Sequence, residues 1–239
     1  MTIALKIFFV IITYLVGSIP FGLLIGFFKG VDIREYGSHN IGTTNTGRVL
    51  GQKYAILTYA LDMGKGALFV ALFRFGIIPS EYMILSPLLY GVIACLGHTF
   101  SIYLKFKGGK AVATGSGMIL GYAPLLFLVC FTFFFLIMFI TKRVSVGSLS
   151  ASLLASILAF ALVIYHNGFE WNNFHTPYNM YLLIGICLIT CVVWWKHIKN
   201  IERLFMGTES KVGFLTKKSR SHLARFLNYC LFCCIEAMI

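Results

Sequence analysis

The chain has 239 residues, of which 59% are hydrophobic and 12% are charged, and its formal net charge is +12. Soluble domains carry about a quarter charged residues, so this composition excludes a water-soluble globular protein and indicates an integral membrane protein. No Pro/Ser-rich linker divides the chain. We therefore expect one membrane domain over residues 1–211 and a basic, apolar tail over 212–239 that lies at the membrane interface.

Apolar runs follow one another along the chain, and roughly 20 helical residues suffice to cross a bilayer. Six stretches have this character: 4–28, 54–78, 82–104, 124–141, 148–165 and 178–196. Residues 111–122, AVATGSGMILGY, are short and rich in small residues. We interpret them as a short helix that completes a seventh crossing, with its ends covered by protein. The N-terminal run has no small-residue cleavage site, which favours a retained first span over a signal peptide.

The distribution of basic residues favours seven crossings over six. With the N-terminus outside and the C-terminus in the cytosol, four inner segments hold 17 of the 20 Lys and Arg residues: 29–53, 105–110, 142–143 and 196–239. The longest outer loop, 166–177, has none. This is the positive-inside pattern, and six crossings would place basic loops on both faces. The predicted fold class is an all-α integral membrane protein with seven transmembrane helices. Nucleic acid is not expected as a partner, because the basic residues are spread over membrane-flanking loops.

The seven cysteines do not indicate a disulfide scaffold. Four of them lie inside apolar runs, where cysteine behaves as a small buried hydrophobe. Cys230, Cys233 and Cys234 cluster in the tail, but their spacing matches no zinc pattern, and His222 is the only histidine near them. We predict no metal site and expect free thiols in a reducing compartment.

The first inner loop contains the segment 37–48, GSHNIGTTNTGR, which is polar in an otherwise apolar chain. Its glycines allow close backbone approach to a ligand. Ser38, Asn40 and Asn45 supply donors and acceptors, and Arg48 has the planar fork that suits phosphate. The segment is either one wall of an anion site or a polar loop that connects and caps helices.

The second inner loop contains Lys107-Gly108-Gly109-Lys110. Adjacent glycines let backbone N–H groups form an anion-binding nest, and Lys110 adds charge. A helix that begins near residue 111 would direct its N-terminus toward a phosphate. The sequence does not fit a Walker A loop. The alternative is a basic turn at the membrane surface.

Two further inner segments carry hydroxyl, imidazole and carboxyl groups. Ser145 follows two cations in the third loop, where the alternative role is a helix cap. His197 and Asn200 are spaced i, i+3 after the last span, so they share a face if the helix continues. Glu209 follows nine residues later. This histidine is either a proton carrier or phosphate ligand, or an interfacial residue at a helix end.

Asp62 and Lys65 lie inside the second apolar run, also at i, i+3. Ionisable residues within a membrane are costly and often functional. Here a mutual ion pair near the inner surface is the simpler expectation. His98 and Thr99, near the end of the third run, are expected to face the same polar region.

Several enzyme classes are excluded by the residues present. The chain has only two aspartates, Asp32 and Asp62, so an aspartate-rich metal motif for CDP-alcohol transfer is impossible. No His-x-x-x-x-Asp signature of the common glycerolipid acyltransferases occurs, and neither H-E-x-x-H nor G-x-S-x-G is present.

The polar segments together resemble the bacterial acyl-phosphate:glycerol-3-phosphate acyltransferases (PlsY). The resemblance covers roughly residues 10–210 and consists of five motifs in matching order and spacing: GSIPFG at 17–22, DIREYGSHNIGTTNTGR at 32–48, LDMGKG at 61–66, LGHTFSIYLKFKGGKAVAT at 96–114 and HIKNIERLFMGTE at 197–209. Five ordered motifs are highly specific, although any one alone would be weak.

The resemblance implies transfer of an acyl group from a fatty acyl phosphate to the 1-hydroxyl of glycerol 3-phosphate. This reaction would be the first step of phospholipid synthesis, and its products would be lysophosphatidic acid and inorganic phosphate. It implies a multi-pass protein of the bacterial inner membrane with a cytosol-facing site, membrane lipid as a partner and no cofactor. The implied catalytic residues are Ser38, Arg48, Lys110, His197 and Asn200. Among the substrate-binding residues, the resemblance implies Ser38, Arg48, Lys110, Ser145 and Glu209, and the residue types in the two loops add Asn40, Asn45, Gly108 and Gly109.

His197 is expected either to orient glycerol 3-phosphate or to accept its hydroxyl proton, and the resemblance implies the phosphate of the substrate itself as the alternative base. A different class, a membrane transporter of a phosphorylated metabolite, would use similar basic, glycine-rich loops. A transporter should also have matching polar segments on the outer face. The outer loops are short or lack such residues, which argues against a transporter.

Two departures from the family pattern concern backbone conformation. His39 stands where the family usually has Gly, and Ala111 replaces the last Gly of G-G-K-G. If the position of His39 requires positive φ, histidine adopts it less easily than glycine does, although more easily than most side chains.

Overall fold

The computed structural model describes residues 2–167 and 178–212. Within these ranges the chain forms ten α-helices and no strand: α1 Thr2–Ser18, α2 Phe21–Phe28, α3 Thr43–Leu50, α4 Gln52–Arg74, α5 Pro87–Thr99, α6 Val112–Tyr122, α7 Pro124–Thr141, α8 Val144–Asn167, α9 Met180–Lys196 and α10 Ile198–Phe205. Short 3₁₀ turns at Ile33–Glu35, Ser80–Tyr82 and Ile102–Leu104 lie in the connections. Most of the predicted outer loop and nearly all of the tail, with its three cysteines, lie outside the described residues.

The long helices correspond to the predicted apolar runs. Four helices in the described ranges are long and apolar enough to cross a bilayer, and up to six spans result if each bent pair of helices forms one. One pair is α1 and α2, bent by 47°, and the other is α9 and α10, bent by 55°. The first bend coincides with Pro20, which has no N–H for a helix hydrogen bond. The chain is therefore an all-helical, multi-pass membrane protein.

The small residues of α6 are explained by its packing against α4. A Cβ on Gly117 would lie 1.8 Å from the Met63 carbonyl oxygen, and a Cβ on Gly66 would lie 2.0 Å from the Thr114 carbonyl oxygen. Such close approach of two backbones is how small residues join helices in membranes. The predicted short helix at 111–122 thus exists, but its 11 residues are too few to cross a bilayer alone.

Helices α5 and α6 lie at the centre of the described fold. The main cluster of buried side chains includes Leu88, Met118, Tyr122, Leu182 and Ile186, contributed by α5, α6 and α9. By contrast, only 17% of the residues of α7 are buried. This helix therefore exposes much of its surface on the outside of the fold, toward lipid. The ends of α5 and α9 and the start of α6 lie next to one another and carry the polar motifs.

Candidate active site

The opening polar segment is only partly a loop. Residues from Thr43 to Leu50 form α3, which places Arg48 on the last helical turn with an exposed side chain. The loop before α3 is held by Asn45, whose Oδ1 accepts from Ser38 N at 2.7 Å and whose Nδ2 donates to the Ile33 carbonyl at 2.7 Å. A further bond from this nitrogen reaches the Tyr36 carbonyl at 3.1 Å. The segment was predicted to be a loop, so the helix from Thr43 to Leu50 is a difference from that prediction.

Both residues that replace family glycines adopt positive φ. The φ angle is 56° at His39 and 58° at Ala111. His39 Nδ1 lies 2.7 Å from the Arg34 carbonyl oxygen, and because that oxygen can only accept, Nδ1 carries the proton. Left-handed backbone costs a residue other than glycine roughly 1–2 kcal/mol. These two positions therefore require a glycine-like backbone, and this chain supplies it with other residues.

The Gly108-Gly109-Lys110 loop rests on the C-terminal end of α5. Gly108 N donates to the Thr99 carbonyl and Gly109 N to the His98 carbonyl, each at 3.0 Å. These carbonyls are among the last four of α5, which lack partners inside the helix. A Cβ on Gly108 would lie 2.0 Å from the His98 carbonyl oxygen. Both glycines are thus required by close packing, and two of the predicted nest N–H groups already have backbone partners.

Lys110, Asn200, Arg203 and Glu209 form one hydrogen-bonded chain. Lys110 Nζ donates to Asn200 Oδ1. Asn200 Nδ2 donates to Glu209 Oε1 at 2.7 Å, and Arg203 Nε donates to Glu209 Oε2, also at 2.7 Å. The side chains of Asn200 and Glu209 are buried. Glu209 thus orients the amide of Asn200 so that its oxygen faces the lysine.

His197 lies at the bend between α9 and α10. Its Nδ1 is 2.8 Å from the Val193 carbonyl oxygen, and the residue is 3% exposed. Burial and the nearby Lys110 charge lower the pKa of His197 to about 4, so the ring is neutral at pH 7. Nδ1 must then be the protonated nitrogen, because a carbonyl only accepts, and Nε2 is left as an acceptor.

Burial also disfavours the protonated form of Lys110. Desolvation lowers the pKa of Lys110 to about 8; Glu209 opposes this shift, and Arg203 and Arg48 add to it. Burial raises the pKa of Glu209, but hydrogen bonds from Asn200 and Arg203 and the neighbouring Ser145 hydroxyl together lower it below its usual value. At pH 7 the cluster therefore holds a protonated lysine, two arginines, a carboxylate and a neutral histidine.

The third inner segment closes the cluster on one side. Ser145 lies in the first turn of α8 and is buried. Ser145 Oγ interacts with the Glu209 carboxylate and helps to lower its pKa, at a geometry short of a full hydrogen bond. Val212 N donates to the Lys142 carbonyl at 2.8 Å, which ties the segment after Glu209 to this loop. The third inner segment therefore contacts the cluster at Glu209.

Two cavities lie in this part of the molecule. One, of about 490 Å³, is formed between the opening segment and the second loop, and its polar lining residues include Arg34, His39, Asn40, Lys105 and Lys107. An apolar cavity begins beside Lys110, at Ala111 and Val112, and extends between α6, α7, α8 and α9 to Ser152 and Ala155. The arrangement thus combines a basic, polar region with an adjoining apolar cavity.

The structure brings together five of the predicted site residues, Lys110, His197, Asn200, Glu209 and Ser145. Arg48 is near enough for its charge to act on Lys110. Ser38 and Asn40 belong to the opening segment, where Asn40 Oδ1 accepts from Gly42 N at 3.0 Å. Within the described residues, neither Ser38 nor Asn40 makes a hydrogen bond to Lys110, His197, Asn200, Glu209 or Ser145.

Arg203 was not proposed as a site residue from sequence. The sequence feature that could have indicated Arg203 is its position, one helical turn after Asn200 and six residues before Glu209. This spacing allows one helix and the turn after it to bring Asn200, Arg203 and Glu209 together. Within the described residues, no group of three His, Cys, Asp or Glu side chains is arranged to hold a metal ion.

Comparison with known proteins connects these features to one family. The sequence profile of a family described as glycerol-3-phosphate acyltransferase matches residues 7–207. The chain is 41% identical over 213 residues to the glycerol-3-phosphate acyltransferase of Acholeplasma laidlawii, covering 85% of this chain and 91% of that protein. It is 42% identical over 207 residues to the enzyme of that name from Bacillus subtilis strain 168, covering 86% and 97%.

Two solved structures are similar in fold. Both are crystal structures of PlsY (YgiH), an integral membrane glycerol 3-phosphate acyltransferase, one in a glycerol 3-phosphate form and one in a lysophosphatidic acid form. Each is 33% identical in sequence and covers 88% of this chain and 96% of the other, with TM-scores of 0.74 and 0.72.

Fold and site together define a multi-pass, all-helical membrane enzyme of the acyltransferase class. The chain belongs to the glycerol-3-phosphate acyltransferase family. The resemblance found in its sequence motifs is confirmed by these comparisons.

Proposed function

We propose that this protein transfers an acyl group from a fatty acyl phosphate to the 1-hydroxyl of glycerol 3-phosphate, releasing lysophosphatidic acid and inorganic phosphate. The observation that carries the proposal is the buried cluster of Lys110, Asn200, Glu209 and His197, with an apolar cavity that begins at the next residue, Ala111. Both substrates are anions, and the acyl phosphate also carries an apolar chain, so one site must offer both environments. The relatives named above are glycerol-3-phosphate acyltransferases, and the acyl phosphate donor is our inference from the motifs.

Lys110 and Arg48 hold the phosphate groups in this proposal. Both are cations near one another, and together they stabilise the charge that develops on the acyl carbonyl and on the departing phosphate. Ser38, Asn40 and Ser145 supply further hydrogen bonds, Gly108 and Gly109 allow close backbone approach, and Asn45 holds the opening segment in place. An acyl phosphate is already activated, so positioning of the two substrates accounts for much of the rate enhancement.

The proposed reaction is balanced without a cofactor. The 1-hydroxyl oxygen forms a bond to the acyl carbon, the bond from that carbon to the phosphate oxygen breaks, and the hydroxyl proton finally resides on the released phosphate. Neutral His197 has Nε2 free to accept a hydrogen bond. We assign this nitrogen to orient the 1-hydroxyl for attack, with Asn200 holding Lys110 beside the phosphate.

The apolar cavity is our candidate for the acyl chain. It starts at Ala111, one residue after Lys110, so a phosphate held by the lysine would place the attached chain at its entrance.

We also propose seven crossings, with the N-terminus outside, the C-terminus in the cytosol and the site facing the cytosol of a bacterial inner membrane. The distribution of basic residues supports this orientation. Helix α6 would complete the seventh crossing with the connections beside it, because its packing against α4 shields its polar ends. Labelling of cysteines introduced at positions 35 and 81 with a membrane-impermeant reagent would test which side each loop faces.

The reaction itself is tested with purified protein in detergent. Glycerol 3-phosphate is supplied with either palmitoyl phosphate or palmitoyl-CoA, and lysophosphatidic acid and phosphate are measured. We expect product only with palmitoyl phosphate. Turnover with palmitoyl-CoA alone would overturn the donor assignment, and folded protein inactive with both donors would overturn the proposed reaction. Uptake of glycerol 3-phosphate into proteoliposomes without acyl transfer would favour a transporter.

A further inference from the structure

A buried charge cluster, formed by Asp62, Lys65 and His98, lies directly beneath the Gly108-Gly109-Lys110 loop. Lys65 Nζ is 2.8 Å from Asp62 Oδ1, and both side chains are at most 3% exposed. His98 Nδ1 lies 3.7 Å from the same carboxylate oxygen, which is an electrostatic contact rather than a hydrogen bond. The expected ion pair of Asp62 and Lys65 is therefore present, but it includes a histidine as a third member.

His98 connects this cluster to the loop through both its backbone and its ring. Its carbonyl accepts the Gly109 N–H at 3.0 Å. A Cβ at Gly109 would lie 2.2 Å from His98 Nε2, and its three nearest atoms are all in the His98 ring. The ring therefore packs directly against the residue that precedes Lys110, with its other nitrogen facing Asp62.

Lys65 fixes the other side of the cluster. Besides its contact with Asp62, its Nζ donates to the Ile19 carbonyl at 2.6 Å, at the bend between α1 and α2. The carboxylate is thus held by a lysine that is itself anchored to the break between α1 and α2. An ion pair in a membrane domain is expensive, and holding α4 to this bend would not by itself require an adjoining histidine.

We propose that Asp62 and His98 are positioning residues for the acyl transfer reaction, acting through the Gly109 backbone on the placement of Lys110. This inference rests on the proposed function and deepens it. The Asp62 carboxylate sets the orientation of the His98 ring, and the ring fixes the position of the Gly109 backbone. The Gly109 backbone in turn fixes the position from which the Lys110 side chain reaches the substrate phosphate. A displacement of about 1 Å at a reacting group can reduce a rate about a hundredfold.

The test is a double-mutant cycle between His98→Leu and Lys110→Met. We expect His98→Leu to lower kcat/KM for glycerol 3-phosphate by about a hundredfold. The double variant should lose little beyond Lys110→Met alone, because the two residues act in one chain. His98→Gln, which keeps a polar group toward Asp62, should retain more activity than His98→Leu. His166→Leu, at the far end of α8, is the matched control and should stay within about twofold of the wild type.

Thermal unfolding of each variant separates positioning from folding. If His98→Leu does not fold, the paired change Asp62→Asn with Lys65→Met removes both charges together and enters the same cycle. Folded variants with unchanged kcat/KM, or losses that multiply with that of Lys110→Met, would overturn the inference.

A binding measurement keeps this inference separate from the proposed reaction. The affinity for glycerol 3-phosphate and for inorganic phosphate is measured by calorimetry for the wild type and for His98→Leu. If the wild type fails to turn over, the proposed reaction is wrong. Weaker phosphate binding by His98→Leu would still support the positioning role, and equal binding in that case would overturn it.

Discussion

Two buried asparagines near the polar end of the molecule use the same side-chain amide in opposite ways. Asn45 bonds to backbone atoms of Ile33, Tyr36 and Ser38, all in its own segment. Asn200 bonds to two charged side chains, Lys110 and Glu209, which come from different parts of the chain. The first amide therefore maintains a local backbone shape, and the second arranges ionised groups that can face a substrate.

This difference separates residues that build the site from residues that act in it. Both N–H donors of Asn45 and one lone pair of its oxygen are bonded to backbone, which leaves this side chain little capacity for a ligand. A side chain that orients a buried lysine changes the charge presented to a phosphate. Substitutions in the two regions should accordingly affect different measurements.

The largest effect is expected at Lys110. Lys110→Met removes the cation and leaves the stem, and we expect kcat/KM to fall about 10²–10³-fold, as when one donor to a developing charge is removed. Initial rates of phosphate release from palmitoyl phosphate, with glycerol 3-phosphate as acceptor, measure it. Lys53→Met is the matched control, because Lys53 is exposed in the first inner segment and lines neither cavity. Equal losses in both variants would mean that general charge, not Lys110 itself, matters.

Asn200→Ala should have the second largest effect. It leaves Lys110 without its amide acceptor and Glu209 without one donor, so the lysine is no longer held in one position. We expect about a hundredfold loss in kcat/KM with folded protein. The same assay with a parallel melting curve measures it. A melting temperature that falls as far as in Asn45→Ala would contradict the distinction between the two asparagines.

The pH dependence follows from Lys110. Burial lowers the pKa of this amine to about 8, and the protonated form is the one that binds phosphate. The pH profile of kcat/KM reports ionisations of the free enzyme. On its alkaline side, kcat/KM should be constant below pH 8 and fall about tenfold per pH unit above pH 8.

Lys110→Arg tests this assignment of the alkaline limb. The guanidinium stays protonated to above pH 12, so the limb should vanish even if the maximal rate is lower. Profiles of kcat/KM from pH 6 to 10, corrected for spontaneous hydrolysis of the acyl phosphate, measure it. An unchanged alkaline limb in Lys110→Arg would assign the titration to another group.

Much of the fold could be predicted from sequence because membrane spans are long, apolar and locally encoded. The start and end of α7 at 124 and 141 coincide with the prediction. The role of the glycines in 111–122 could not be predicted, because it depends on the Met63 carbonyl of α4 lying against Gly117. Helix α3 was missed because its short sequence, TTNTGRVL, contains weak helix formers and is stabilised by its surroundings.

For the site, residue types and charge indicated which segments mattered, but not how each residue is used. Lys110, His197, Asn200 and Glu209 were predicted together, since they carry the chemistry in two motifs. That Asn45 is bonded to backbone, and that His98 packs on Gly109, depends on three-dimensional contacts between segments. No spacing rule in the sequence contains that information.

The smallest expected effect on catalysis is at Asn45. Asn45→Ala removes hydrogen bonds to the Ile33 and Tyr36 carbonyls and to Ser38 N, which should reduce the free energy of unfolding by about 1–3 kcal/mol. Activity measured well below the unfolding temperature should fall less than in Asn200→Ala, since no charged group loses its partner. Melting curves and kcat/KM at two temperatures separate the two effects. Asn40→Ala is the reference for stability, because Asn40 accepts one bond, from Gly42 N two residues on. A large loss of kcat/KM in fully folded Asn45→Ala would show that the shape of the opening segment, through Ser38, is as important to catalysis as the charges around Asn200.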